Sequence, residues 1–346
     1  MSLKSVSPVD GRYQKIVGDL SGNFSEFALI KNRVEVETKY LVALSDFLGV
    51  KLAVAEKRKV MDIFKRFSEK DAERIKELEE SLNHDIKAVE VFLRQRVPKN
   101  SAEYVHFCLT SEDVNSIAFG ISINNALRSV IIPCAMDIIG ALSSMAYDYR
   151  DIAMLSRTHG QPASPTTLGK ELANYSFRLR KVSEKLFSLK SGAKFSGATG
   201  NYNAFFAAYP KKDWESFCKR FVESFGLEFC PMSTQIAPHD GISEILDCVR
   251  SINSICLDLS KNAWLYCSIG YLKVRKVNSE VGSSTMPHKI NPIDFENAEG
   301  NFELSNSMLS FISPRLQLSR FQRDLSDSTI KRNYGVAFGH SIIAMK

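Results

Sequence analysis

Residues 243–268 read SEILDCVRSINSICLDLSKNAWLYCS. Ile245, Val249, Ile252, Ile255 and Leu259 recur at steps of three and four, the spacing of one helical face. The run predicts a single helix longer than one compact core needs. Four more segments carry the same reading. Asp113 to Arg150 reads as one segment with a bend at Pro133, then come Thr166 to Leu189 and Asp294 to Ser313, and the chain ends inside a fifth, Thr329 to Lys346. Long helices with wide apolar stripes predict an all-α fold, a large antiparallel bundle. Such stripes leave apolar surface exposed on a lone copy, which points to self-association.

The composition agrees. Apolar residues make up 44% of the 346 and charged residues 24%, ordinary for a globular chain. Gly (18) and Pro (11) are sparse, so few tight turns are expected. The net charge of +6 suits a basic pocket for an anionic small molecule better than a nucleic-acid surface, which needs a concentrated basic stripe. The seven cysteines are odd in number and never spaced C-x-x-C, so reduced thiols and a cytoplasmic setting are expected rather than a disulfide framework or a zinc site. The first residues carry no apolar signal core. The longest uncharged run, Val114 to Leu127, is broken by Asn and Ser, so no membrane partner is expected.

The first hundred residues read as a smaller helical domain. Val60, Ile63, Phe64, Phe67, Ile75, Leu78, Leu82, Ile86, Val89, Leu93 and Val97 keep helical spacing, and Ser68 with Asp71 forms a capping-box start. Pro98-Lys99-Asn100-Ser101 marks a boundary. The expected domains are therefore residues 1–100 and a central bundle over 101–346.

Polar segments fall at the ends of the long helices: Thr110-Ser111-Glu112-Asp113, Ser156 to Pro162, Thr234 to Asp240, and Gly282 to Pro292. If the bundle gathers helix ends, these build a polar site on a rigid scaffold. Gly282, Ser283 and Ser284 make a loop that can approach a ligand closely. Lys289 and Asn291 bring a cation and an amide two residues apart, and Pro292 leads into a helix start able to hold an anion. The glycine-rich 191–203 stretch has neither Walker nor G-x-G-x-x-G spacing, so no nucleotide cofactor is indicated. No clustered His and carboxylates suggest a metal.

Gly282-Ser283-Ser284-x-Met286-x-x-Lys289-x-Asn291 resembles the signature of the fumarase/aspartase superfamily, whose members release fumarate by cleaving C–N or C–O bonds. Asp10-Gly11-Arg12-Tyr13, Asn83-His84-Asp85, Thr110 to Asp113, Arg157 to Gln161, Gly200 to Asn203 and Arg323-Asp324-x-x-x-Ser328-Thr329-x-x-Arg332 stand in the order seen in the adenylosuccinate lyase family. The resemblance implies β-elimination of fumarate from succinyl-AMP and SAICAR in purine nucleotide biosynthesis, without cofactor or metal. It implies His159, in a loop entering a helix, as general acid, Ser283 as general base and Glu296 as the carboxylate orienting the acid. It places Arg12, Tyr13, Arg323, Ser328 and Arg332 at the phosphate end, His84 and Asp85 on the phosphate and ribose side, and Asn83 and Thr329 among the other substrate contacts. Thr110, Ser111, Gln235, Lys289 and Asn291 fall to the succinyl carboxylates, with Ser284 and Asn297 as further substrate contacts. It also implies a homotetramer with shared active sites, in which His84, His159 and Ser283 meet only across neighbouring chains. The family's third, C-terminal helical domain is expected to be absent.

Other readings compete. Argininosuccinate lyase, aspartase or fumarase would share the signature, but those smaller substrates give Arg323 to Arg332 no phosphate to hold. A catalytically silent helical scaffold or an RNA-binding protein would need the site to be disabled. His106 and His340 read as structural, and His239 and His288 receive no role.

Overall fold

The computed structural model describes residues 4–50, 52–275 and 290–346. Helices Gln14–Phe24 (α1) and Glu26–Leu48 (α2) open the chain and are followed by Val54–Lys65 (α3), Glu69–Leu82 (α4) and Asp85–Arg94 (α5). Ser68 caps α4 in the capping box read from the sequence, donor and acceptor both engaged with Asp71. Ile30, Val34 and Leu41 of α2 pack with Val60, Ile75, Val89 and Phe92 as one apolar cluster. A 3₁₀ turn, Lys99–Tyr104, leads onward.

The bundle begins with a continuous rod: Ser111–Ala126 (α6), a π turn Leu127–Ile131, and Ile132–Asp148 (α7). The π turn sits just ahead of Pro133. A proline lacks the N–H of the regular ladder and crowds the preceding turn, and the widened turn accommodates it. This rod is the one described helix long and apolar enough to cross a membrane by length and composition, yet its α6 half is core, with fourteen residues buried. Leu168–Ser188 (α8), Asn203–Ala208 (α9), Trp214–Glu223 (α10), Asp240–Ser268 (α11), Ile293–Leu316 (α12), Ser326–Lys331 (α13) and Tyr334–Met345 (α14) complete the helices.

Helix α7 packs on α8, α8 on α11, α11 on α12, and α12 on α14, which also meets α1. The stripe that opened the sequence reading faces this core: Ile245, Val249, Ile252 and Ile255 are buried, with Leu259 partly so. Burying each such side chain contributes roughly 1.5–3 kcal/mol. Small polar groups fix the register. Asn253 Nδ2 donates to Ser305 Oγ (2.9 Å), Ser341 Oγ to Asn253 Oδ1 (2.5 Å), and Ser305 Oγ to the Ala337 carbonyl (2.8 Å), tying α11, α12 and α14 together. A second cluster gathers Tyr40, Phe195, Trp214, Phe217 and Phe221 around α10. All seven cysteines are unpaired, and three are buried.

Two local expectations are corrected. The last helix is not continuous from Thr329, because Arg332 caps the end of α13 and Asn333, out of helical conformation, caps the start of α14. His159 does not sit in a loop running into a helix. It occupies the turn of an antiparallel hairpin, Ala153–Thr158 (β1) with Gln161–Thr167 (β2). His159 and Gly160 take φ of 55° and 75°, the positive pair that a two-residue hairpin turn demands. A one-residue register shift between Leu155 and Arg157 admits Pro162 and Pro165, which cannot donate to a regular ladder.

Candidate active site

A cleft of about 670 Å³ opens where α4 ends, α5 and α6 begin, and α13 packs. Its lining includes Asn83, His84, Asp85, Ser111, Arg323, Ser328, Thr329 and Arg332, eight of the residues singled out from sequence. Local chemistry explains their placement. Asn83 closes α4 in the left-handed conformation, φ 50°, which asparagine tolerates better than most residues. His84 then caps α5, its Nδ1 accepting the Lys87 N–H at 3.0 Å, so the other ring nitrogen is the one left for a ligand. Ser111 stands in the first turn of α6, and the ends of α5 and α6 both offer partial positive charge to an anion.

The floor of the cleft is a network of charges. Buried Arg33 donates from Nη2 to Asp85 (2.6 Å) and from Nε to Asn115 Oδ1 (2.9 Å). Asn115 donates to Glu112 (3.0 Å). Glu112 accepts from Lys331 (3.1 Å) and Arg323 (3.4 Å), and Asp327 accepts from the same two cations at 2.8 and 3.0 Å. Arg332 bridges Glu26 at 2.8 Å and Asp85 at 3.5 Å. Burial works against the charge on Glu112, but Lys331 and Arg323 outweigh it and hold its carboxyl below the usual range. Burial likewise opposes the charge on Asp85, and Arg33, the Ile86 N–H and Arg332 overcome it.

Thr110 is set by a second buried pair. Its N–H donates to Asp113 Oδ2 (2.8 Å), while Asp113 Oδ1 meets Lys194 (2.7 Å) and accepts the Ser196 and Gly197 N–H groups. This ties the start of α6 to the glycine-rich segment. Gly200 then lies so close to the chain that an added Cβ would stand 2.1 Å from the Ser233 carbonyl oxygen, which only glycine permits. Two residues beyond Ser233, the Gln235 N–H donates to the Gln322 carbonyl (3.3 Å), beside Arg323.

Other expected residues gather elsewhere. Glu296 accepts the Trp264 indole N–H (3.0 Å), and with Asn291 it lines a separate recess of about 430 Å³. Tyr13 donates to Asn297 Oδ1 (3.2 Å), and Arg12 stands over the Tyr13 ring. The His159 hairpin is fastened to this same end, the Tyr271 hydroxyl donating to the Leu155 carbonyl (3.2 Å). His239, the N-cap of α11, lies instead buried near the Arg323 side of the cleft, 3.7 Å from Asp327. Helix α11 is 29 residues, roughly 43 Å at 1.5 Å per residue. The cleft and the Glu296 recess, near which Tyr271 holds the His159 hairpin at Leu155, thus lie toward opposite ends of α11. Arg12 and Tyr13 do not join Arg323 and Arg332 among the residues that line the cleft. Ser283, Ser284, His288 and Lys289 lie outside the described residues.

Asp327, Lys331 and Arg33 were not singled out from sequence, and Glu112 and His239 stood in polar segments that gave them no role. Only the four-residue spacing of Asp327 and Lys331 could have signalled a pair.

Comparison with known proteins fits this geometry. A lyase family model matches residues 11–303, and a model described as adenylosuccinate lyase C-terminal matches 319–346. The chain resembles a solved fumarate lyase from Mesorhizobium sp. BNC1 with a TM-score of 0.75 at 17% identity, over 95% of this chain and 72% of that one. The fold and the match define a helical lyase of the fumarase/aspartase type, an enzyme acting on C–N bonds. Curated adenylosuccinate lyases of Legionella pneumophila (strain Corby), Escherichia coli (strain K12) and Vibrio cholerae are 47%, 46% and 45% identical, over 99% of this chain and 77% of each relative. The chain belongs to the adenylosuccinate lyase family. The expectation that the C-terminal domain is absent is corrected, since the match over 319–346 includes α13 and α14.

Proposed function

We propose that the chain eliminates fumarate from succinyl-AMP and from SAICAR, with the cleft taking the phosphate and ribose side of the substrate. The observation that carries this reading is the convergence of Asn83, His84, Asp85, Ser111, Arg323, Ser328, Thr329 and Arg332 on one cleft. Guanidinium groups and hydroxyls suit a phosphate, which accepts paired charge-assisted hydrogen bonds. Ser111 at the edge of this group, and Thr110 and Gln235 held beside it, suit a succinyl carboxylate together with Lys289 and Asn291.

In this reading Ser283 removes the proton next to the succinyl carboxylate, its alkoxide held by loop N–H groups and Lys289. His159 protonates the departing nitrogen, and Glu296 orients it. The reaction so read uses neither cofactor nor metal. His159 and Glu296 stand at the opposite end of the bundle from the cleft, so the site is completed by neighbouring copies, in a homotetramer. Phe177, Phe187, Met136 and Phe311 are 71%, 63%, 51% and 60% exposed, an apolar surface that association would cover. We keep residues 1–100 and 101–346 as the two domains and a cytoplasmic setting as parts of the same reading. Incubation with succinyl-AMP tests it: fumarate and AMP should appear together, and a chain that releases neither while aspartate or malate yields fumarate would favour another lyase of the superfamily.

A further inference from the structure

Beneath Arg323 lies a carboxylate that an anion-binding cleft would be expected to avoid. Asp327 accepts from Arg323 Nη1 through both oxygens, at 3.0 and 3.1 Å, and from Lys331 at 2.8 Å. Arg323 Nη2 donates to Ser328 Oγ at 3.1 Å and reaches Glu112 at 3.4 Å. Two cations therefore face two carboxylates, and the group is balanced. If the cleft needed only positive charge, Asp327 would work against it. Both carboxylate contacts fall on one nitrogen, Nη1, and the bond from Nη2 to Ser328 fixes the rest: anchored through both Nη atoms, the planar guanidinium takes one orientation. His239 closes on the same carboxylate, Nε2 3.7 Å from Oδ2. It is 4% exposed, and neither ring nitrogen has a hydrogen-bond partner among the described residues. The 3.7 Å approach is longer than a hydrogen bond, yet Asp327 is the polar group that this buried ring faces.

We propose that Asp327 is a positioning residue for Arg323, turning the guanidinium edge toward Ser328 and the cleft, and that His239 holds the Asp327 carboxylate in that pose. The inference deepens the reading of the cleft as the phosphate-side site and rests on it. Burial opposes the charge on Asp327, yet His239, Lys331 and Arg323 hold its carboxyl far below the ordinary range, as a fixed anionic anchor requires. Burial also depresses the His239 imidazole, which preserves the balance of the four charges.

The test is Asp327→Asn, which keeps the shape and removes the charge. Positioning and bulk charge make opposite demands on it. Calorimetric titration with AMP should show about tenfold weaker binding, and KM for succinyl-AMP should rise by a similar factor while kcat stays within about threefold. Unchanged or tighter AMP binding, as loss of a negative charge alone would give, overturns the proposal, and so does a fall in kcat with KM unmoved. If Asp327→Asn does not fold, His239→Leu and His239→Gln decide. The leucine variant should weaken AMP severalfold while its melting temperature stays near that of the wild type, and the glutamine variant should recover most of the loss. Equal affinity in all three chains overturns the proposal. Phenylglyoxal labelling of Arg323, read by mass spectrometry, separates the two readings. Faster labelling in the variants of a chain that binds no AMP would keep the positioning role and sink the phosphate-site reading, whereas unchanged labelling sinks the positioning role.

Discussion

Glu112 of α6 and Lys331 of α13 stand 219 residues apart in sequence and 3.1 Å apart in space, with side chains only 3% and 2% exposed. The contact joins the first turn of the long rod to the segment that carries Arg323 and Arg332. It therefore fixes one wall of the cleft against the other.

Lys331→Met should be costly. The variant keeps the stem and removes the charge, leaving Glu112 and Asp327 with a single shared cation. Breaking a buried pair from one side typically costs about 3–5 kcal/mol, measurable as a drop in urea midpoint. The acid limb should move as well. Both carboxyls are depressed in the folded chain, so their stabilisation is present above the unfolded carboxyl values near 4.5 and 3.8 and is lost as pH falls through the lower folded values. An acid unfolding curve unchanged by the substitution would show that the network contributes nothing.

Arg332 bridges Glu26 and Asp85 at the rim. Its side chain is 42% exposed, so it is poised to meet solvent-borne substrate. Arg332→Ala should raise KM for succinyl-AMP about 10–100-fold, as expected for a lost charge-assisted contact, with a smaller effect on kcat. Steady-state kinetics with unchanged KM would remove Arg332 from the substrate contacts.

His106 Nδ1 meets Glu37 at 2.5 Å, and Glu37 is wholly buried. Burial disfavours charge on the imidazole, but Glu37 outweighs it and raises the His106 pKa above 6.5. The stabilisation is therefore complete below about pH 6.5 and is lost as pH rises through the raised folded value. His106→Gln should flatten the alkaline side of a melting-temperature profile and lower stability by roughly 3–5 kcal/mol through the unpaired carboxylate. A profile still sloping as in the wild type would show that another group titrates there.

The bundle helices were legible because burial on one face writes a period of 3.6 into the sequence, as in Ile245 to Leu259. The cleft residues were legible as polar groups at helix ends, but only the family resemblance assigned them roles. The supporting charges were not legible. Glu112 reads as a helix-start acid and Lys194 as part of a glycine-rich run, yet Lys194 is fully buried against Asp113. Their partners lie 219 and 81 positions away, and local pattern carries no trace of such pairing. The hairpin was missed because Pro162 and Pro165 argue against strand, and the register shift that admits them shows only in three dimensions.

The proposed sharing of the site between neighbouring copies gives the final prediction. Arg323 lies near the start of α11 and the His159 hairpin is tied near its end, a helix roughly 43 Å long, so the proposal draws the two from different chains. His159→Ala should lower kcat about 10²–10⁴-fold, as for a lost proton donor, and Ser283→Ala by a similar factor. Arg323→Ala should act chiefly on KM. If sites are shared, mixing the His159→Ala and Arg323→Ala chains after dissociation and reassociation should restore activity, because hybrid assemblies contain some sites with both native residues. Phe177→Glu, placed on exposed apolar surface, should shift the mass in solution toward the monomer and abolish activity together with assembly. A wild-type chain that is fully active as a monomer, or a mixture no more active than its parts, would show that each site is built within one chain.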